Sequence, residues 1–155
     1  MFTLSQAHTQ EAFEIAKHLF KEYAEELGID LSFQNFSKEL EEVEIEYAPP
    51  QGALFLAHNE GKEAIACFAI RKWQAEICEL KRMYIRKVFR GKGLGKKLLL
   101  KSIEQAKALG YKKMRLDTLP SMQAAIGLYK SLGFVEIDAY RYNPIPGTKY
   151  FEKEL

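Results

Sequence analysis

A glycine-rich, basic junction between a predicted strand and a predicted helix is the feature that most restricts how this chain can fold. The segment from Arg90 to Lys96 reads RGKGLGK and has three glycines in five residues. Glycine has no Cβ, so the backbone here can come close to a ligand. The first turn of the helix that follows offers unpaired N–H groups and a partial positive charge. The junction therefore predicts a binding site for a phosphate group.

Neither of the two common nucleotide-binding motifs fits this junction. A Walker A loop has the pattern GxxxxGK[ST], but Arg90 stands where its first glycine belongs. A dinucleotide fingerprint has the pattern GxGxxG, but Lys96 stands where its last glycine belongs. The ligand of the junction therefore has to be identified from other features of the sequence.

The segments on both sides of the junction predict an α+β domain with a mixed sheet. Hydrophobic periodicity predicts helices at residues 8–27, 33–47, 94–109 and 121–132. Strands are predicted at residues 2–4, 53–58, 63–73, 76–85, 113–118, 134–141 and 148–155. The strand at 76–85 and the strand at 113–118 should be parallel neighbours joined by a right-handed helical crossover. Since 155 residues is an ordinary length for one domain, we expect a single domain over residues 1–155.

The formal net charge of +2 conceals two charged blocks of opposite sign. Residues 81–101 contain nine lysines and arginines and no acid, which we call the basic block. Residues 22–46 contain nine acids against the single cation Lys38, which we call the acidic block. The basic block suits an anionic ligand. Nucleic acid is disfavoured, because only Tyr84 and Phe89 supply aromatic rings among the cations.

The sequence lacks the marks of a membrane, secreted or metal-binding protein. It has no apolar run of about 18 residues and no basic, apolar signal segment at its N-terminus. Cys67 and Cys78 have no CxxC partner and are expected to be buried free thiols. The three histidines are scattered, so no metal site is predicted. We expect a cytoplasmic protein without membrane contact.

Two motifs resemble those of the GCN5-related N-acetyltransferase (GNAT) family. Arg90, Gly93 and Gly95 match the family's cofactor loop, and the later segment AIGLYKSLGF, residues 125–134, matches its second signature. The motifs stand in the family's order and at about its spacing, and the predicted elements match its fold over nearly the whole chain. The resemblance implies a mostly antiparallel sheet of about seven strands flanked by helices. It also implies a parallel pair that splays apart at a cofactor cleft.

The resemblance implies that acetyl-CoA is the acetyl donor, bound without a metal. Amides of the loop would hold the pyrophosphate, and the backbone of the preceding strand would pair with the pantetheine arm. The cofactor-binding residues so implied are Met83, Tyr84, Ile85, Arg90, Gly91, Lys92, Gly93, Leu94, Gly95 and Lys96. One position departs from the family, since Met122 stands where many members have an asparagine beside the pantetheine.

The resemblance also assigns roles in the attack of an amine on the thioester through a tetrahedral intermediate. Tyr129 is the expected general acid for the departing thiolate, and a backbone N–H near Met83 is the expected oxyanion donor. Glu79 is the candidate general base. On a regular strand it would share a face with Lys81, Met83 and Ile85. The alternative for Glu79 is a surface carboxylate paired with a neighbouring lysine.

The acceptor is expected to be a primary amine on a small molecule or a protein. The acidic block favours a cationic amine, although a solvated helix face explains the same acids. The loop 140–144 carries two tyrosines and is expected to close over the acceptor, to form a dimer contact or simply to pack as a turn. The protein is expected to be a monomer or a homodimer. A non-catalytic acyl-CoA-binding regulatory module on the same fold remains the alternative function.

Overall fold

A seven-stranded mixed sheet forms the centre of the protein, as the sequence predicts. The computed structural model describes the backbone of all 155 residues and every side chain except that of Phe33. The strands are β1 (Thr3–Gln6), β2 (Ala53–His58), β3 (Ala64–Gln74), β4 (Ile77–Ile85), β5 (Lys113–Thr118), β6 (Val135–Ile137) and β7 (Lys149–Glu154). Their order across the sheet is β1-β2-β3-β4-β5-β7-β6. All neighbours are antiparallel except β4 and β5, which the crossover makes parallel.

Five α-helices flank the sheet: α1 (Gln10–Leu27), α2 (Phe36–Glu41), α3 (Val43–Glu46), α4 (Leu94–Ala108) and α5 (Gln123–Ser131). The prediction of one helix over residues 33–47 is wrong. A 3-10 helix at Ser32–Gln34 precedes α2, and the chain breaks at Asn35, which has a left-handed φ of 56°. Asparagine tolerates this conformation better than most residues. No helix in the described structure is long and apolar enough to cross a membrane.

Each face of the sheet is covered by its own group of helices. On one face, α4 and α5 pack over a core that includes Phe55 and Phe68, whose rings stack 5.0 Å apart. On the other face, α1 to α3 pack over Leu54 and Cys67. Neighbouring residues of β2 and β3 thus enter opposite cores, as expected for strands covered on both sides. Both cysteines are buried free thiols, which confirms their prediction.

The parallel pair β4 and β5 separates after three positions. Ile77, Cys78 and Glu79 pair with residues 113–115, and no further pairing follows. β4 nevertheless runs on to Ile85 and β5 to Thr118. The second half of β4 therefore has one backbone edge without a strand partner, and a cleft opens between the two strands.

Because of a β-bulge at Arg82, the later side chains of β4 point to the opposite face of the sheet from the one that regular alternation predicts. Phe68 of β3 lies opposite two residues of β4, because the register passes from Cys67–Tyr84 to Ala69–Lys81. Arg82 has a φ of 55°, a conformation that costs a residue with a side chain about 1–2 kcal/mol. The expectation that Glu79, Lys81, Met83 and Ile85 share one face is therefore wrong. Met83 and Ile85 pack against the α4 core, whereas Lys81 and Arg82 both point towards α2 and the 3-10 helix before it.

A buried ion pair joins the bulge to α2. Arg82 donates to the Glu39 carboxylate from Nε at 2.9 Å and from Nη2 at 2.7 Å. The Tyr47 hydroxyl donates to the same carboxylate at 2.7 Å. Burial acts to raise the pKa of Glu39, but the hydrogen bond and charge of Arg82 outweigh it and lower the pKa overall. The pair therefore stays ionised and holds α2 against β4.

Removal of one partner of this pair should cost far more stability than removal of both. We expect Glu39→Gln to lower the free energy of unfolding by about 3–5 kcal/mol, because Arg82 is left as a buried, uncompensated charge. The double variant Glu39→Leu/Arg82→Met should recover part of this loss. Urea unfolding measures both, with the exposed Glu41→Gln as a control. Equal losses for the single and double variants would contradict the prediction.

Candidate active site

A groove of about 430 Å³ runs along the glycine-rich junction, and we call it the loop groove. Its walls are the end of β4, the segment from Phe89 to Gly95, the beginning of α5 and part of α1. Among the predicted cofactor-binding residues, it is lined by Met83, Tyr84, Ile85, Arg90, Gly91, Leu94 and Gly95. Lys92 and Lys96 are exposed on the same loop. The structure thus brings seven of the ten predicted cofactor residues to one groove, and Lys92, Gly93 and Lys96 lie on the same loop outside its lining.

The loop presents a row of backbone amides without protein partners. Gly91 and Gly93 both have a φ of 79°, which residues with side chains rarely adopt. Gly93 is also the N-cap of α4. Within the described structure, the N–H groups of residues 91–96 donate no hydrogen bond to any protein acceptor. Because these donors lie at the positive end of a 15-residue helix, the loop is suited to a di-anionic phosphate group.

Arg90 braces the wall of the loop groove. Its Nε donates to the Ile85 carbonyl at 2.8 Å and its Nη2 donates to Glu26 of α1 at 2.6 Å. Its guanidinium also lies 5.7 Å from the centroid of the Tyr84 ring. These contacts connect the end of β4, the loop and α1. Arg90 therefore shapes the groove even where it does not itself touch a ligand.

The basic and acidic blocks of the sequence neutralise each other in part. Three arginines of the basic block pair with three glutamates of the acidic block: Arg82 with Glu39, Arg86 with Glu22 and Arg90 with Glu26. The basic block is thus less available to a nucleic-acid backbone than its sequence indicates. The acidic block likewise keeps less free charge for a cationic acceptor. The charge pattern on which the cationic-acceptor prediction rested is therefore weaker in the fold.

A smaller cavity of about 60 Å³ lies where β4 and β5 separate, and we call it the central cavity. Lys81 and Met83 of β4, Asp117 of β5 and Tyr129 of α5 are among its lining residues. The central cavity and the loop groove share Tyr23, Leu27, Met83 and Met122 in their walls. A ligand that extends from the loop groove would therefore reach the central cavity beside Met83. Met122, at the position where the family often has asparagine, lines both.

Tyr129 has the surroundings of a proton donor. Its ring packs against Phe134 and Phe151, with centroids 5.7 Å and 6.1 Å away. Its hydroxyl makes no hydrogen bond among the described residues, and Tyr129 lines the central cavity. Burial raises the pKa of Tyr129 above its ordinary value. The phenol therefore keeps its proton at neutral pH.

Glu79 lies outside the walls of the cavities and is held by other groups. Its side chain is fully buried and accepts hydrogen bonds from Arg71 Nε at 3.0 Å and from the Tyr140 hydroxyl at 2.7 Å. Arg141 lies 3.3 Å from the same carboxylate. Burial acts to raise the pKa of Glu79, but the charges of Lys81, Arg141 and Arg71 lower it overall. A carboxylate held in this way is a poor proton acceptor, and the alternative of a surface glutamate paired with a lysine is wrong.

Sequence reasoning missed Lys81 as a site residue, although it placed this lysine on the same strand as Glu79. Lys81 is only 4% exposed and donates from Nζ to the Gln34 side chain at 3.2 Å. Burial, followed by the charge of Arg82, lowers the pKa of Lys81 to about 7. A lysine in the middle of a strand covered on both sides was the signal that could have identified it.

A third cavity of about 410 Å³ lies on the α2 side, and we call it the outer cavity. Trp73 and Arg141 line it, together with Arg71 and Glu46, which are paired with each other. Gln34 lines both the outer and the central cavity, so the two adjoin there. The three cavities thus lie next to one another from the glycine loop to the α2 side of the sheet.

The model of the acetyltransferase (GNAT) family matches residues 10–134, which is most of the chain. The chain belongs to the GNAT family. An "Uncharacterized N-acetyltransferase" of Schizosaccharomyces pombe is 40% identical to it, over 90% of this chain and 86% of that protein. A GNAT acetyltransferase of Staphylococcus aureus superposes with a TM-score of 0.82 at 20% identity, over 99% of both chains. A GNAT acetyltransferase of Elizabethkingia anophelis, with acetyl-CoA bound, superposes with a TM-score of 0.65 at 23% identity, over 99% of this chain and 98% of that one.

The match to the GNAT family confirms the resemblance seen in the two sequence motifs and the predicted fold. Residues 10–134 include β4, the glycine loop and Tyr129. They exclude β7 and the loop that carries Tyr140 and Arg141. The part of the chain that lines the loop groove is therefore family-like, whereas part of the wall of the outer cavity lies beyond the matched region.

Proposed function

We propose that this GNAT protein is an acetyl-CoA-dependent N-acetyltransferase that acts on a primary amine. One observation supports this most: the loop groove, with its unpaired amides, adjoins a cavity lined by the Tyr129 side chain. A ligand held by its phosphates at the loop would thus bring its other end towards a proton donor. The names of the relatives, which are N-acetyltransferases, agree with the reaction class.

The residues of the loop groove fit the phosphate and pantetheine parts of acetyl-CoA. The amides of residues 91–96 would hold the pyrophosphate, with Lys92 and Lys96 adding charge from the exposed side. The free edge of β4 at Met83, Tyr84 and Ile85 would pair with the amides of the pantetheine arm. Acetyl-CoA supplies an activated acetyl group at the end of that arm.

The residues of the central cavity fit acetyl transfer by direct attack of the amine. Tyr129 holds a proton for the departing thiolate. Because pairing with β5 ends at Glu79, the later part of β4 has an unpaired edge, and an N–H near Met83 would stabilise negative charge on the carbonyl oxygen. Glu79 acts as an anchor for Arg71 and Arg141 rather than as the general base.

A non-catalytic acyl-CoA-binding module is the second candidate function. Such a module would need the loop groove but no proton donor in the central cavity. Calorimetry with acetyl-CoA, followed by measurement of thiol release with a panel of amines, separates the two. We expect binding together with turnover of at least one amine. Binding without turnover would favour the regulatory module, and a lack of binding would contradict both.

The class of amine is the least constrained part of the proposal. A cationic acceptor remains our expectation from the acidic block, but the ion pairs described above leave the outer cavity with groups of both signs. Lys38, Arg71 and Arg141 line it together with Glu39, Glu42 and Glu46. The amine panel should therefore include cationic, neutral and anionic members. Equal rates with all three classes would contradict the expectation of a cationic acceptor.

Substitution of Gly93 should weaken acetyl-CoA binding through the backbone. In Gly93→Ala the new Cβ meets no atom within 4 Å, but alanine is strained at a φ of 79° by about 1–2 kcal/mol. We expect the loop to turn its amides away and the dissociation constant of acetyl-CoA, measured by calorimetry, to rise by about tenfold.

Gly127→Ala is the matched control for this substitution. Gly127 lies within α5, and a Cβ there also meets nothing within 4 Å, but its φ is not positive. It should leave acetyl-CoA binding unchanged and stabilise the helix by roughly 0.4–1 kcal/mol. If both variants bind acetyl-CoA equally well, the left-handed glycine is not what organises the loop.

Loss of the Tyr129 hydroxyl should affect turnover and not binding. Tyr129→Phe keeps the ring that packs against Phe134 and Phe151, and the hydroxyl has no protein partner to lose. We expect kcat to fall by about 10²-fold or more, as for other lost proton donors, with an unchanged dissociation constant for acetyl-CoA. Thiol release and calorimetry measure the two quantities. An unchanged kcat would exclude Tyr129 as the general acid.

A further inference from the structure

Lys81 stands at the point where the outer and central cavities adjoin. Its Nζ donates a hydrogen bond to Gln34, and Gln34 lines both cavities. Lys81 itself lines the central cavity. Tyr129 and Met83 line the same cavity. An amine that enters from the outer cavity would therefore pass Lys81 before it reaches the groups proposed for acetyl transfer.

The charges of Glu79 and Asp117 act to raise the pKa of Lys81, but neither carboxylate forms a salt bridge with its Nζ. Among the described residues its Nζ forms no salt bridge within 4.0 Å, and Gln34 is its one side-chain hydrogen-bond partner. Glu79, two residues away on β4, is already engaged by Arg71 and Arg141.

The other charged and titratable groups that face Lys81 include both signs of charge. They are Arg82 on β4, Asp117 on β5, Arg141 on the loop before β7, Tyr23 on α1 and Tyr129 on α5. Two of them are cationic. Asp117 is not within salt-bridge distance and is hydrogen-bonded by the Asn143 amide at 3.4 Å. Burial, together with the charges of Arg82 and Arg141, outweighs the charges of Glu79 and Asp117 and lowers the pKa of Lys81 to about 7.

We propose that Lys81 is the general base that removes a proton from the ammonium form of the acceptor. The inference rests on the proposed function, because it assigns a role within that same reaction. Its basis is the position of a buried, unpaired amine between the acceptor's entrance and Tyr129. Glu79 cannot take this role, since its carboxylate is held by two arginines and a tyrosine outside the cavities.

The protons balance along this route. The acceptor ammonium gives one proton to the neutral Lys81 amine, and the acceptor nitrogen then forms a bond to the acetyl carbonyl carbon. The carbon–sulfur bond breaks, and Tyr129 gives its proton to the sulfur. The new amide nitrogen returns its extra proton to the Tyr129 phenolate. Lys81 finally releases its proton to solvent, which accounts for the one proton set free when an ammonium is acetylated.

Replacement of Lys81 should remove the dependence of the rate on a group that titrates near neutral pH. In the wild type, kcat/KM for the acceptor should rise as pH passes through about 7, because Lys81 becomes neutral. In Lys81→Met and Lys81→Arg, kcat/KM at neutral pH should fall by about 10²–10⁴-fold and the rise should disappear. Arginine keeps the positive charge but cannot lose its proton. Wild-type activity in Lys81→Arg would overturn the proposal.

A second measurement needs no acceptor. The unfolded chain holds the Lys81 proton up to a pH of about 10.4, whereas the folded protein gives it up near 7, so wild-type stability should rise with pH between these values. Methionine does not titrate. The increase in Tm that Lys81→Met gives over the wild type should therefore be larger at about pH 6 than at about pH 9.5. A difference that does not change with pH would show that Lys81 is an ordinary charged lysine and would overturn the proposal.

Two controls separate this proposal from the proposed function. Lys72→Met removes an exposed lysine from the neighbouring strand β3 and should change neither the rate profile nor the pH dependence of Tm. Calorimetry with acetyl-CoA should give equal affinities for the wild type and both Lys81 variants. A wild type that does not bind acetyl-CoA would contradict the proposed function. A wild type that binds and reacts, together with Lys81 variants that keep its pH profile, would contradict only the role of Lys81.

Discussion

The incomplete pairing of β4 with β5 is the constraint on which the rest of the site depends. If β4 and β5 paired along their whole length, the backbone of β4 would be hydrogen-bonded on both edges and no cleft would open in the sheet. Because pairing ends at Glu79 and Arg115, the later part of β4 keeps a free edge, and the central cavity lies in the gap. The α4 crossover begins at the same end of β4, so the glycine loop and the gap come together. One break in the sheet thus positions both the amides proposed to bind phosphate and the cavity proposed for the reaction.

The bulge at Arg82 makes this opening asymmetric. An uninterrupted strand would send Lys81 and Arg82 to opposite faces, but the extra residue directs both towards α2 and the 3-10 helix before it. Of these two buried cations on one face, only Arg82 forms a salt bridge, with Glu39, whose carboxylate also accepts a hydrogen bond from the Tyr47 hydroxyl. Two unfavourable features thus occur at adjacent positions: the left-handed backbone of Arg82 and the burial of Lys81 without a salt bridge. Such local costs are commonly concentrated at functional sites.

Periodicity, turn residues and crossover handedness predicted most of the fold, because these depend on neighbouring residues in the chain. They predicted the sheet, the parallel pair and the glycine loop, and the family motifs drew attention to Tyr129, which lines the central cavity. The bulge at Arg82 could not be predicted, because a single extra residue does not visibly disturb the strand pattern of the sequence around it. The break at Asn35 was missed for a related reason: a single left-handed residue divides an otherwise helical pattern. The state of Glu79 depends on Arg71 and Arg141, which lie far from it in sequence.

The pairing of the two charged blocks changes where selectivity for the acceptor can come from. Arg86 and Arg90 use their partners on α1 to attach that helix to the end of β4 and to the glycine loop. These acids therefore stabilise the donor side of the site, and the charge that remains towards the acceptor is of mixed sign. The outer cavity is completed by Arg141 and Tyr142, which follow the region shared with the family. We therefore expect selectivity for the acceptor to come more from the side chains around Trp73 and this loop than from the acidic excess of the sequence as a whole.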